Sequence, residues 1–166
     1  MEMREKEKSI AEFYNTKVKE IMQTIKTEIP RIEKTTDMSH VLSRLKTTDH
    51  VWVMDSTEPT HLIGVITQSD TIGFFSPPLT SSETFENPDS RSLQFGMMLT
   101  AGQVMSQKPV TASADETLRE IIVRMKEYKI KHLPIVDDSD RLIGEVSLLY
   151  IIREYSKHFS DMNWKD

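Results

Sequence analysis

The phrase Leu-Ile-Gly occurs twice, at Leu62-Ile63-Gly64 and at Leu142-Ile143-Gly144, and the residues around the two copies run in parallel for dozens of positions. Before each copy stands an apolar run ending in aspartate, His50-Val51-Trp52-Val53-Met54-Asp55 and His132-Leu133-Pro134-Ile135-Val136-Asp137. Further upstream the same helical stripe recurs: Met38, Val41, Leu42 and Leu45 in one copy, Leu118, Ile121, Ile122 and Met125 in the other. Each copy opens on a short segment closing on methionine, Val18-Lys19-Glu20-Ile21-Met22 and Ala101-Gly102-Gln103-Val104-Met105. A repeat of about 80 residues is too long for a solenoid unit, so the chain reads as two copies of one supersecondary module.

Each copy is predicted to run strand, helix, strand, strand, helix. In the second, Val110-Thr111-Ala112 is a short strand after Pro109, and Ser113-Ala114-Asp115-Glu116 has the spacing of a capping box ahead of the apolar stripe. That helix reaches to about Tyr128, Leu133 to Val136 is a buried strand, Asp137 to Asp140 a polar turn, and Leu142 to Val146 the next strand. A last helix carries Leu149, Ile152 and Tyr155 on one side. In the first copy Pro30-Arg31-Ile32 is the short strand, and Ser56 to His61 the turn between strands. Between the copies, Ser76-Pro77-Pro78 through Asn87-Pro88-Asp89-Ser90 reads as a linker, after which Leu93, Phe95, Met97, Met98 and Leu99 resume an apolar lead. The resulting divisions are 1–15 (a helical lead-in), 16–75 (first motif), 76–99 (linker), 100–159 (second motif) and 160–166 (tail).

Composition narrows the function. At 37% hydrophobic and 28% charged residues this matches a soluble globular protein, expected in the cytoplasm. No run approaches the roughly 18 apolar residues that span a bilayer. The start, Met1 to Lys8, is charged in both signs and reads as a frayed lead-in to a helix rather than a signal peptide. Without cysteine there is no disulfide framework and no thiolate chemistry. A net charge of −5, with basic and acidic residues interleaved, disfavours nucleic acid as a partner and leaves room only for a small anion held by local donors. His40, His50, His61, His132 and His158 show no metal-ligand spacing, and no Ser-His-Asp order or glycine-rich phosphate loop appears. Neither an enzyme nor a resident cofactor or metal is expected. Gly64 and Gly144 read as turn positions of the repeat.

The apolar stripes are core. Three short strands per copy are too few to bury two helices each, so the halves are expected to pack edge to edge, with a ligand cleft between them.

Within this pattern, Gly64-Val65-Ile66-Thr67-Gln68-Ser69-Asp70 resembles the Gly-h-h-Thr/Ser-x-x-Asp motif of CBS domains, where h is apolar. The runs His132 to Asp137 and Val104-Met105 match the family's other signature positions, and the resemblance covers roughly Thr16 to Phe159. In tandem such domains form Bateman modules. The resemblance implies a mixed α/β (α+β) fold: two β-α-β-β-α motifs related by a pseudo-two-fold axis, with small mixed sheets packed on helices. It also implies a non-enzymatic sensor that binds AMP, ADP, ATP or S-adenosylmethionine between the motifs. Such a module pairs into a homodimer and reports to a regulated protein in trans.

Residue by residue, Asp70 would take both hydroxyls of a ribose, since a carboxylate offers paired acceptors, although it could equally serve as a helix cap. Thr67 offers a hydroxyl, and the neighbouring backbone amides suit a phosphate. Ile66 and Ile130 would sandwich the adenine, with Trp52 either lining that pocket or filling core. Lys131 and His132 occupy positions where related modules carry phosphate-touching bases, and His50, Val110 and Thr111 complete the expected contacts. The matching position in the first copy is Asp49, which would repel a phosphate. A weaker second cleft would use Arg31, Ile32 and Ser147, because Tyr150 replaces the aspartate there and a phenol cannot hold a ribose diol. The other readings are a ligand-free dimerisation module with decayed clefts and, less favoured, a nucleic-acid-binding regulator.

Overall fold

The computed structural model describes residues 2–25, 29–75 and 98–159, so the predicted linker over 76–97 and the tail 160–166 lie outside the described residues. In chain order the elements are α1 (Glu2–Asn15), α2 (Val18–Ile21), β1 (Gln23–Thr24), β2 (Arg31–Glu33), α3 (Met38–Leu45), β3 (His50–Met54), β4 (Leu62–Thr67), a 3-10 turn (Gln68–Thr71), α4 (Ile72–Phe75), α5 (Ala101–Val104), β5 (Ser106–Gln107), α6 (Leu118–Tyr128), β6 (His132–Val136), β7 (Leu142–Ser147) and α7 (Leu148–Phe159). The class is mixed α/β, as expected. Among the described residues no helix is long and apolar enough to cross a membrane. Two compact units divide the chain, Met1–Ile29 with Val110–Asp166, and Pro30–Pro109.

In the Pro30–Pro109 unit the strand order is β2-β3-β4-β5. Strand β2 runs parallel to β3, with Arg31 opposite Trp52, and the other pairings are antiparallel. The stripe on α3 lays Met38, Val41 and Leu45 against Val51, Val53, Ile66 and Ala101. Along β4 burial alternates, Leu62, Gly64 and Ile66 inward and Ile63, Val65 and Thr67 outward, the two-residue period of a strand.

The other unit has the order β1-β7-β6. Here Leu118, Ile121 and Met125 of α6 pack with Leu133, Ile135, Val146, Ile151, Phe159 and Phe13. The C-terminal end of helix α1 is docked: Phe13 is buried, with its ring edge-on to Tyr155 at 5.6 Å and to Phe159 at 5.9 Å. Aromatic pairs of this kind are worth about 0.5–1.5 kcal/mol beyond the area they bury.

The two lead segments are exchanged. Strand β1, which opens the first repeat in sequence, pairs with β7 of the second, Gln23 opposite Glu145 and Thr24 opposite Gly144. Strand β5, which opens the second repeat, pairs with β4 of the first, Gly64 opposite Gln107. The sequence divisions 16–75 and 100–159 count each lead with the copy it precedes, whereas in space each lead belongs to the other copy. The repeated glycines follow from this. They lie within strands, not in turns: a Cβ on Gly64 would overlap Met105 Sδ, and one on Gly144 would stand 2.5 Å from the Gln23 carbonyl oxygen. Glycine is required where another backbone approaches this closely.

Two local expectations are corrected. Val110 to Ala112 is not a strand of three residues but a single parallel bridge from Ala112 to Ile135. In the first unit Trp52 N–H donates to Pro30 O at 2.9 Å; Pro134 stands at the equivalent place and has no N–H to donate. Helix α6 begins at Leu118, capped by Thr117 with Glu120, and the Ser113–Glu116 pair closes the turn before it.

The aspartate that ends each apolar run clamps the following turn. Asp137 accepts from Ser139 N–H and from Arg141 N–H and Nε. Asp55 accepts from Thr57 N–H and hydroxyl, both at 2.8 Å, and from Lys34 Nζ at 3.2 Å. The Thr57 backbone bond, then its hydroxyl, then Lys34 hold the Asp55 carboxyl down at about 2. An unfolded aspartate titrates near about 3.9. The clamp's contribution is therefore complete above about pH 4 and is lost as pH falls through about 2. Subtracting the acid-unfolding curve of Asp55→Asn from that of the native protein is expected to leave a difference that decays between those two values. A difference that persists unchanged down to pH 2 would mean that the clamp is not ionic.

Candidate functional site

Strand β4 ends on Thr67, and the chain turns at once into the 3-10 turn. Thr67 donates to Asp70 twice, from its N–H at 2.7 Å and from its hydroxyl at 2.8 Å. Asp70 is thus not the N-cap, the alternative its place at the turn offered, but the third residue of a capping box whose N-cap is Thr67. Both bonds fall on Oδ2, however, and among the described residues nothing donates to Oδ1. The carboxylate is half-buried and held in one orientation, with an acceptor oxygen still available and the Thr67 hydroxyl oxygen beside it. A fixed carboxylate with a hydroxyl at its shoulder can accept two hydrogen bonds from a vicinal diol. The segment that follows offers less than expected for a phosphate: α4 is four residues long, too short to build a helix dipole.

The flanking residues separate into wall and core. Ile66 is wholly buried in its unit's core and presents no surface to an adenine; the strand's parity sends it inward and Thr67 outward. Ile32 is likewise core, and Arg31 beside it is exposed. Trp52 is buried, its ring 4.9 Å from that of His50, so it fills core. His50 is itself buried, and its Nδ1 lies 2.9 Å from the Asp49 carboxylate.

In the other unit Ser147 stands where Thr67 stands in the first, and its Oγ accepts from Tyr150 N–H at 3.4 Å. Tyr150 turns its ring under the Arg153 guanidinium, 5.4 Å from the centroid, so the position is occupied by a cation–π pair instead of a carboxylate. Val110 and Thr111 are half-buried, and the Thr111 carbonyl accepts from Arg124, which also pairs with Glu116 at 2.7 Å. Ile130 and Lys131 line a groove between α6 and α7. His132 is half-buried, its Nδ1 3.9 Å from Glu145 Oε1.

Two residues with local roles escaped the sequence reading. Gln68, inside the motif, sends its amide back to the carbonyls of Leu45 and Thr48. Glu145 is a buried carboxylate in β7, where the first copy has Val65. The signal was present, since a charge interrupting Leu142 to Val146 breaks an otherwise apolar strand.

A family model described as "CBS domain" matches residues 18–76 and 101–157. The chain is 26% identical over 138 residues to a homoserine O-acetyltransferase of Methanococcus vannielii, covering 83% of this chain but only 25% of that protein. It therefore spans about a quarter of that relative's length. Among solved structures it resembles CBSX2 in complex with AMP, with a TM-score of 0.67 at 19% identity over 85% of this chain and 96% of that one; CBSX2 is from Arabidopsis thaliana. It also resembles the CBS domain pair of protein MJ0100 in complex with 5'-methylthioadenosine and S-adenosyl-L-methionine, with a TM-score of 0.62 at 21% identity over 86% and 98% of the two chains. At these identities the likeness carries the fold.

Proposed function

The chain belongs to the CBS domain family, and from that premise we propose that it is a regulatory module binding one adenosine-containing ligand, AMP-like or S-adenosylmethionine-like, against Thr67 and Asp70. The carrying observation is the Asp70 carboxylate, fixed by Thr67 through Oδ2 with Oδ1 left to accept. The ligands named for the two resembling structures share an adenosyl group, and its ribose diol is what such a carboxylate fits. Tyr150, stacked under Arg153, has no equivalent acceptor pair, so the stoichiometry is one ligand per chain.

Calorimetric titration with AMP and with S-adenosylmethionine tests this reading. One site per chain for either ligand supports it; two equivalent sites, or no heat with both, sink it. Regulation follows if the ligand binds two states of the module with different affinity. The relative with a transferase name matches over only a quarter of its length, so its activity is not proposed for this chain.

A second reading, an interaction module with decayed clefts, draws on Tyr150 and on the acidic Asp49. Pairing with a second copy fits either reading. Each unit leaves large apolar side chains facing outward, Ile72 and Phe75 on α4 (63% and 65% exposed) in one, and Ile152 and Tyr155 on α7 in the other. Ile151 and Phe159, on the same helix, are core. Light scattering at micromolar concentration is expected to give twice the chain mass, falling to the single mass in Phe75→Glu with Ile152→Glu. A single mass for the native protein counts against dimerisation.

A further inference from the structure

The helices α3 and α6 are equivalent in the repeat yet end in different ways. Helix α3 stops at Leu45, where the Gln68 side chain donates to the carbonyls of Leu45 and Thr48 at 2.9 and 3.1 Å. At the position equivalent to Gln68 the second copy has Leu148, and in place of Thr71 it has Ile151. Helix α6 runs on to Tyr128 and closes with its own backbone: Lys129 takes a left-handed conformation, φ 54°, and Ile130 N–H returns to Met125 O at 3.1 Å. This ending brings the residue after the cap onto the last turn, here Ile130 toward Met125. Since backbone does the capping, the side chain at 148 has no carbonyl to serve and is apolar.

The consequence is a groove of about 330 Å³ floored by Ile122, Met125, Ile130, Leu148 and Ile151. Its remaining lining is Lys126, Lys129 and Lys131. Among the described residues none of these three ammonium groups is in an ion pair. A helix C-terminus attracts cations, which accounts for Lys126. It does not account for Lys131, beyond the helix, or for a lysine at 129, where the left-handed backbone favours glycine. Three unpaired cations around an apolar floor stand out in a chain of net charge −5.

We propose that this groove binds a small amphipathic anion, its aliphatic body on Ile122, Met125 and Leu148 and its carboxylate or phosphate head among Lys126, Lys129 and Lys131. The volume lies at the lower end of small-molecule pockets, which run from about 300 to 1,000 Å³; the walls are almost wholly apolar, and the three lysines are exposed at the edge, where a charged head would stay in reach of water. The groove lies in the unit that does not carry Thr67 and Asp70, and it takes up Ile130 and Lys131, which the family resemblance had assigned to the nucleotide.

Decanoate titrated into the full chain, followed by amide NMR shifts, tests it. Saturable shifts confined to the Ile122–Lys131 and Leu148–Ile151 amides are expected. Decanol, the neutral analogue, should bind about ten-fold or more weakly, the scale of one charge-assisted hydrogen bond. Leu148→Gln, which imports the first repeat's plug, should abolish decanoate binding and leave an AMP titration unchanged, so that failure here and failure of the nucleotide reading are told apart. Lys126→Gln with Lys129→Gln should bring decanoate down to the level of decanol. The proposal is overturned by unsaturable decanoate shifts, by equal affinity for decanoate and decanol, or by a Leu148→Gln chain that still binds decanoate. Loss of dimer mass in Leu148→Gln without decanoate binding to the native chain would also overturn it, and would make the groove a seat for a second copy.

Discussion

Asp70→Ala is expected to weaken AMP or S-adenosylmethionine binding by about ten- to a hundred-fold, because a hydrogen bond to a charged group contributes roughly 1.5–3 kcal/mol. The same substitution removes the acceptor of Thr67 N–H and hydroxyl, and loss of a helix cap costs about 1 kcal/mol of stability. The two effects are separable. Asp70→Asn keeps a carbonyl oxygen to accept from Thr67 N–H, but its amide nitrogen donates where the carboxylate accepted, and the charge that strengthens the bonds to the diol is gone. It should therefore unfold at nearly the native urea concentration while binding almost as weakly as Asp70→Ala. Should Asp70→Asn bind like the native chain, the charge at this position is irrelevant to the ligand and Asp70 is a cap alone. Should both variants lose binding only in proportion to stability, the ligand sits elsewhere.

How much of this was legible depends on the length of the signal. The helical stripes were, because each spans two turns and every residue constrains the next: Val41 and Leu45, Ile121 and Met125 are all buried. The motif ending in Asp70 was legible as a motif, yet its inner geometry was only partly so. Strand parity, applied along Leu62 to Thr67, already sends Ile66 to the core face and Thr67 to the other, which excludes Ile66 as an adenine wall. Two capping spacings precede α6, at Ser113 and Thr117, and spacing alone does not choose between them; the one next to the first buried residue, Leu118, is the cap. Pro134 announced the missing strand at Val110, since a proline opposite a short strand removes its donor. The exchange of leads was not legible. Strands of two residues, Gln23–Thr24 and Ser106–Gln107, carry too little pattern to name a partner. Glycine in a sequence reads first as a turn, and only the packed fold reveals that Gly64 and Gly144 make room for a neighbour.

Gly144→Ala is the sharper test of that exchange. Its Cβ would stand 2.5 Å from the Gln23 carbonyl oxygen and 2.9 Å from Met22 Sδ, so backbone as well as side chain must give way. Strand β1 cannot retreat without breaking its pairing of Gln23 with Glu145 and Thr24 with Gly144. Overpacking of this kind costs about 1–3 kcal/mol, and the rigid obstacle places this case at the upper end. In a chain of this size each kcal/mol lowers the melting midpoint by about 2–4 °C, so a fall of several degrees is expected. Gly64→Ala differs in kind, because every close neighbour there belongs to the flexible Met105 side chain. Truncating that side chain with Met105→Ala should recover part of the Gly64→Ala loss. Met22→Ala should recover little of the Gly144→Ala loss, since the carbonyl of Gln23 remains in the way. Amide exchange at Gln23 and Thr24 is expected to accelerate in Gly144→Ala ahead of the β6 amides, as β1 is released from an otherwise folded sheet. If exchange rises uniformly through β6 and β7, or if Met22→Ala restores the native midpoint, the backbone contact is not what holds position 144 to glycine.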